Sequence, residues 1–312
     1  MQILAIVVRY KTSLSESQTI QSLVRIFSVH PHLLERVGVL VWDNSPIPLE
    51  APTLPFPIIY RHSAENLGVS GAYNRAMVIA EESGCQWLLL LDQDSTLPDN
   101  FLPRMLELSG ELEARKEIAA IAPFLVDGDR TISPGQLLFN RVKLIRPPFE
   151  GVHPGRMYAA NSGSVIRVSA LREIGGFDEN FWLDLSDIVA FHLLYEKGKR
   201  LYIVGDLRLP HRVTLNDYDG SMSPHRYMNF ITAEGAYWDL YRRPPDTWVQ
   251  TGRLLLRAVR QRLRYRNSAY SRITFEYFLR RIFWKKQNRL RAWKQQSEQR
   301  NLPAVSLGKV VG

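Results

Sequence analysis

Asp92 and Asp94 stand one residue apart at the end of the run Trp87-Leu88-Leu89-Leu90-Leu91. Two carboxylates at that spacing make a hard-oxygen pair suited to Mg²⁺ or Mn²⁺ carrying a diphosphate, with Gln93 turned the other way by the two-residue period of a strand. An apolar run of this length, bounded by polar residues, predicts a buried strand of a parallel sheet. Ligands of open α/β sheets sit beyond the carboxyl ends of such strands, which is where this pair falls. The plainer alternative is a solvated strand end followed by a helix cap. A second acidic group, Asp178, Glu179, Asp184 and Asp187, precedes a predicted helix running to about Lys197, where carboxylates are favoured by the helix dipole. Capping accounts for Asp178.

The peptide Asp92-Gln93-Asp94-Ser95-Thr96-Leu97 also fits the Asp-x-Asp-x-Thr signature of haloacid dehalogenase-type phosphatases, with Asp92 as nucleophile and Asp94 as acid/base. That chemistry needs a later acidic motif to close its Mg²⁺ site, and Gly205-Asp206 lacks the second aspartate.

The elements that must position these groups alternate. Ile3–Tyr10 reads as a strand, 18–29 as a helix, Val37–Val41 as a strand ending at Trp42-Asp43-Asn44-Ser45, and Ile58–Arg61 as a strand after a proline-rich loop through Pro46, Pro48, Pro52, Pro55 and Pro57. Ser70 is the expected N-cap of a helix reaching Ser83. A helix near 100–115, an apolar run at 118–126, a hairpin within 131–146, a strand with a small-residue turn at Asn161-Ser162-Gly163, and a short helix stopped by Gly175-Gly176 follow. The expected fold class is α/β, a Rossmann-like, mostly parallel sheet flanked by helices, with residues 1–243 as the catalytic domain.

Charge divides the chain differently. Of the overall +9, residues 242–300 carry 17 Lys and Arg against 3 Asp and Glu, leaving that segment at +14 and the remainder at −5. Two long helices are predicted there. Arg253, Arg257, Arg260 and Arg264 fall on one stripe with Leu255, Ala258, Val259 and Leu263 on the other side, and a second helix spans 272–296. Residues 244–300 are therefore expected to form a basic helical extension and 301–312 a flexible tail. The single cysteine, Cys85, cannot form an internal disulfide, and Met1–Val8 lacks a basic leader or cleavage site. No run approaches the roughly 18 apolar residues a bilayer span needs. The expectation is a cytoplasmic protein, soluble or lying on a surface.

Five ordered segments resemble family 2 glycosyltransferases of GT-A fold, and within them the rhamnosyltransferase-like branch. They are Val7-Val8-Arg9-Tyr10, Trp42-Asp43-Asn44-Ser45, the loop and helix from Asn66 to Ala76, Leu90-Leu91-Asp92-Gln93-Asp94-Ser95, and Gly175-Gly176-Phe177-Asp178-Glu179 with Asp184 and Asp187. Lys11 departs from the asparagine usual after the tyrosine. The resemblance implies an inverting hexosyltransferase that moves a sugar, rhamnose from dTDP-L-rhamnose or a sugar linked to UDP, onto a saccharide or lipid-linked saccharide in envelope polysaccharide synthesis. It implies Asp187 as catalytic base and a nucleotide site built from Val8, Tyr10, Asp43, Asn66, Gly68, Arg75, Asp92 and Gln93. Asp92, Asp94 and His211 would hold Mg²⁺ or Mn²⁺, with His225 competing for the third place, while Asn161, Trp182 and Asp184 would meet the sugar or acceptor.

For the basic extension three readings stay open. Basic amphipathic helices with Trp and Phe on the apolar side lie in the headgroup layer of anionic membranes, here the inner face of the cell membrane. The apolar faces could instead pack on the catalytic domain. Interleaved Tyr265, Tyr270, Trp284 and Trp293 could follow a nucleic-acid backbone, the least favoured of the three.

Overall fold

Within the leucine strand, Trp87, Leu89 and Leu91 face one core while Leu88 and Leu90 face another, so the strand is buried on both sides. The computed structural model describes residues 1–48, 53–138, 141–211 and 222–300; Pro52 of the proline-rich loop and the 301–312 tail lie outside them. The strands are β1 (Ile3–Arg9), β2 (Val37–Asp43), β3 (Ile59–His62), β4 (Trp87–Asp92), β5 (Ile118–Asp127), β6 (Arg130–Ser133), β7 (Gly135–Leu138), β8 (Arg141–Leu144), β9 (Gly151–Val152), β10 (Met157–Tyr158), β11 (Val165–Arg167) and β12 (Arg200–Pro210). The main sheet runs β3-β2-β1-β4-β11-β5-β12-β9, with β6 against β5. It is mixed: β1, β2, β3 and β4 are parallel, while β11 lies antiparallel to both β4 and β5. The expected hairpin is present as β7–β8, which with β10 makes a small second sheet.

Helices cover both faces. One face carries α1 (Gln18–Val29) and α3 (Phe101–Glu111), through Ile20, Leu23, Ile26, Phe101 and Met105. The other carries α2 (Gly68–Glu82), α4 (Val168–Glu173) and α5 (Ser186–Glu196), through Ala72, Tyr73, Leu171, Phe191 and Leu194. A further group of helices follows: α6 (Pro224–Tyr241), α7 (Asp246–Arg264), α8 (Ala269–Phe283) and α9 (Lys286–Arg300). Helix α6 was not anticipated, although Ser223 caps it through Arg226 N and Pro224 opens it, a combination that favours helix starts. The helix expected over 272–296 is two: the chain leaves helical geometry at Trp284, where ψ is 138°. That break lets α9 turn back, so Trp293 packs with Phe181 and Trp238. Ser70 is not an N-cap either. It lies inside α2 and donates to Phe181 O at 2.7 Å, because its hydroxyl is needed against a distant segment.

Strand registry sets the site. Val8 is level with Asp92, and Arg9 with Asp43, so β1, β2 and β4 end together. The chain leaves β1 for β2 on one side, and β4 flanks β1 on the other, which opens the crevice of a topological switch point. The loop after β4 is held by a polar row on the buried stripe of α1. Ser17 Oγ donates to Gln93 O at 2.7 Å, and Leu97 N donates to Ser22 Oγ at 3.1 Å. The Thr19 hydroxyl accepts from Ser95 N at 2.9 Å and faces the carbonyls of Asp92 and Ser95. Gln93 reaches back across the crevice to accept from Tyr10 N at 2.8 Å.

Thr19 is fully buried, so Thr19→Val keeps the shape but strands Ser95 N without an acceptor. We expect a loss of roughly 1–3 kcal/mol of stability, read as a lower urea midpoint at unchanged slope.

Candidate active site

Groups from α2, the turn before β11, α5 and the end of β12 gather at the end of β4. Asp92 accepts from Tyr73 Oη of α2 at 3.4 Å, and its carboxyl is raised above the usual range by burial, then by repulsion from Asp94. His211, at the end of β12 with its amide on Val126 O at 2.9 Å, pulls it the other way, as does a hydrogen bond from Ser162. Ser162 Oγ in turn lies 2.6 Å from Ser95 Oγ, tying the turn before β11 to the loop after β4. Asp187 sits in the first turn of α5, accepting from Ile188 N at 2.7 Å. Burial pushes it up to about 6, with Asp92 and Asp184 adding repulsion against the lowering effect of the backbone bonds. Tyr73 feels both Asp92 and Asp187 and stays protonated. Asp92 and Asp187 thus share one cleft although 95 positions separate them in sequence.

Around them the structure sorts the expected residues. Asn161 donates to Ser186 Oγ at 2.8 Å beside Asp187, and its Oδ1 is buried with no hydrogen-bond partner among the described residues. Asp184 is nearly buried and pairs with Arg226 of α6, so a group expected to meet sugar is already neutralised by a cation from another helix. Tyr10 is half exposed at the mouth; Val8 is buried below it. Asp43 is wholly buried: Ser45 N donates to one oxygen at 2.9 Å, Tyr60 Oη to the other at 2.6 Å, and Arg9 Nε lies 3.8 Å away. A base reaches that carboxylate only if Tyr60 yields its place. Arg75 is exposed on α2, whereas its neighbour Asn74 carries the structural load. Asn74 accepts from Phe177 N at 2.8 Å and donates to Phe177 O and Glu179 Oε1, both at 2.9 Å. His225 is exposed in the first turn of α6.

Gly68 shows why α2 must start on glycine. Its φ is +65°, and a Cβ there would lie 2.4 Å from Trp182 Cδ1. Trp182 uses its indole N–H on Asn66 O at 3.0 Å while its own carbonyl accepts from Val69 N at 3.0 Å. The start of α2 and the 177–182 segment are therefore one unit. Sequence reasoning overlooked Tyr73, Asn74, Ser162, Thr19 and Arg226. The usable signal was polar tips on otherwise apolar helical stripes, as for Tyr73 and Thr19.

Among the described residues no three His, Cys, Asp or Glu side chains already converge as a closed metal site. The donor set nonetheless suits a hard cation: mutual repulsion and burial hold Asp92 high, and a positive charge between it and Asp94 relieves both.

Among solved structures, the chain resembles GalNAc-T7 with UDP, GalNAc and Mn²⁺, at a TM-score of 0.51 and 13% identity over 77% of this chain and 48% of that one. It thus spans about half the length of that structure, and the likeness is one of fold. S. aureus TarS 1–349 aligns over 96% of this chain and 92% of its own at 13% identity and a TM-score of 0.49, and its complex with UDP-GlcNAc at 0.47. No curated protein matches in sequence. The sheet, its helical layers and the switch-point crevice are those of the GT-A fold. The sequence model of glycosyl transferase family 2 matches residues 17–175, from the cap of α1 to the first glycine after α4, so the chain belongs to glycosyl transferase family 2.

Proposed function

We propose that this chain transfers a sugar, with inversion, from a nucleotide diphosphate donor to a hydroxyl of a saccharide or lipid-linked saccharide, in envelope polysaccharide synthesis on the cytoplasmic side of the cell membrane. The observation that carries the reading is the placement of Asp187, raised toward neutrality by burial, in the same cleft as Asp92. A carboxylate with an affinity for protons near working pH is a competent base. The acceptor hydroxyl oxygen attacks the anomeric carbon, its proton passes to Asp187, and the bond from that carbon to the diphosphate oxygen breaks, leaving a nucleoside diphosphate. One displacement on the face opposite the leaving group inverts the centre and needs no covalent intermediate.

Asp92, Asp94 and His211 would hold Mg²⁺ or Mn²⁺, which when bound neutralises charge developing on the diphosphate. Asn161 Oδ1 would accept from a sugar or acceptor hydroxyl on ligand entry, and Trp182, half-buried against Gly68, would stack on a sugar face. Val8, Tyr10 and Asn66 frame the nucleotide with Gly68 and Gln93, Arg75 lies on the surface above it, and Asp43 closes its floor. The wording of the β4 loop supports dTDP-L-rhamnose as donor, with UDP sugars as the alternative. A panel of sugar nucleotides scored for release of nucleotide with and without Mn²⁺ tests donor and metal together; no release from any donor would refute transfer.

Asp94→Asn should abolish the Mn²⁺-dependent part of nucleotide binding, measured calorimetrically, and retention of that part would remove Asp94 from the metal site. Asp187→Asn should leave nucleotide binding intact and cut kcat by about 10²-fold or more. Wild-type kcat/KM should fall roughly tenfold for each pH unit below about 6, as Asp187 takes up a proton. The sign for stability is opposite. Because the folded carboxyl is raised, its stabilising contribution is present at low pH and is lost as pH climbs through about 6. Asp187→Asn should therefore raise Tm at pH 8 relative to wild type and leave it little changed at pH 4.

A further inference from the structure

Helix α7 is built inside out. Its buried arc holds Gln250, Leu254, Arg257, Ala258 and Gln261, with Gln250 and Arg257 on Glu234 of α6 and Gln261 on Tyr227. The opposite arc is apolar and faces outward: Trp248 is 71% exposed, Leu256 70% and Leu263 83%, with Val249, Leu255 and Val259 between them. At 100° per residue these six side chains cover about a third of the circumference without a charge among them. Arg262 borders one edge and Arg260 and Arg264 the other, all exposed.

Helix α8 also exposes apolar side chains, although its buried side carries Tyr270, Ile273 and Tyr277. Tyr270 and Arg281 turn toward α6, Tyr270 meeting Tyr227 edge-on and Arg281 bonding to Gly235 O and Asp239, while Phe275, Ile282 and Phe283 are exposed with Arg272 and Glu276. Since α6 lies on one side of the antiparallel α7–α8 pair, both apolar arcs lie on the other. Trp284, Lys285 and Lys286 continue that exposed surface past the end of α8.

We infer that this two-helix face docks on an anionic lipid surface, with the apolar side chains entering the headgroup boundary and the arginines meeting lipid phosphates. A contiguous apolar patch of this kind on a water-soluble face requires a cover. Its rim is positive apart from Glu276 of α8, and that charge selects the occupant. A twofold pairing with a second copy sets each rim against its own like charges, whereas anionic lipids neutralise it, and tryptophan at the border is the side chain that favours that layer. Among the described residues no helix is long and apolar enough to cross the bilayer, so the face lies on it.

The placement also orients the catalytic cleft. The Val249 and Leu256 edge opens onto a groove walled by Leu138, Val142 and Lys143. That groove continues, past Arg253 and Arg257, into a cavity of about 240 Å³ that ends at Leu185 and Ile188, on either side of Ser186 and Asp187. An acceptor held in the lipid would enter by this groove; this step, unlike the docking itself, rests on the function proposed above.

The test is cosedimentation of the full chain with phosphatidylcholine vesicles containing roughly one-third phosphatidylglycerol, at about 50 mM and about 500 mM salt. Wild type should bind the anionic vesicles and lose at least about tenfold in affinity at high salt or on pure phosphatidylcholine. V259E/L263E should lose at least about tenfold while keeping the wild-type Tm and sugar-nucleotide binding. Tryptophan emission should be quenched by brominated lipid, and the quenching should fall in Trp248→Phe and be lost when Trp284→Phe is added. Failure to bind anionic vesicles at low salt overturns the inference. So does a wild-type dimer that V259E/L263E dissociates, or tighter binding to duplex DNA than to vesicles. Sugar-nucleotide binding is read separately, so loss of the transferase reading leaves this one standing, and the reverse.

Discussion

Asp92 is repelled by Asp94 and Asp187, and Asp187 by Asp184, and much of the surrounding structure exists to hold these carboxylates near the end of β4. Three of them are answered within the chain, each in a different way, while Asp94 is exposed. Asp184 has Arg226, Asp92 has hydrogen bonds from Tyr73 and Ser162, and Asp187 has the amides at the start of α5. What remains is a negative field between Asp92 and Asp94 with Asp187 raised beside it. Such an arrangement suits a cation between Asp92 and Asp94 and raises the Asp187 carboxyl, and both effects follow from burial plus like charge rather than from any single contact.

Such a site cannot be carried by one strand end. Its groups come from β4, α2, the turn before β11, α5 and β12, and they are locked by bonds that span long stretches of chain. Asn74 grips Phe177 and Glu179, Ser70 grips Phe181, and Gly68 admits Trp182. The helix α1, on the opposite face of the sheet, fixes the β4 loop through Ser17, Thr19 and Ser22. Polar groups buried in this way are costly if any partner is missing, so they specify one arrangement.

The periphery obeys the opposite rule. In α7 the polar side is inward and satisfied, and the apolar side is outward. The bidentate pair of Arg257 with Glu234, at 2.6 and 2.8 Å, anchors the helix beside the buried Leu254 and Ala258. The apolar arc is thereby left exposed, next to a groove walled by Leu138, Val142 and Lys143.

The alternation of apolar runs was enough to foresee β1, β2, β4, α1 and α5 and to put Asp92 at a strand end, because period and flanking residues are local properties. The hairpin, the stops at Gly175-Gly176 and the basic character of residues 242–300 were equally local. Ser70 and the 272–296 helix were misread for one reason: each depends on a partner far along the chain. A serine before a helix looks like a cap until Phe181 O claims its hydroxyl, and a long amphipathic pattern looks continuous until Trp293 finds Phe181. The chain order by itself determined the strands, their polar ends and the charge of each half, all set by neighbours within a few residues. Only the tertiary structure decided which carboxylates meet, that Asp43 is closed in by Tyr60 and Arg9, and that the apolar side of α7 faces out, since helical periodicity specifies a face but not what covers it.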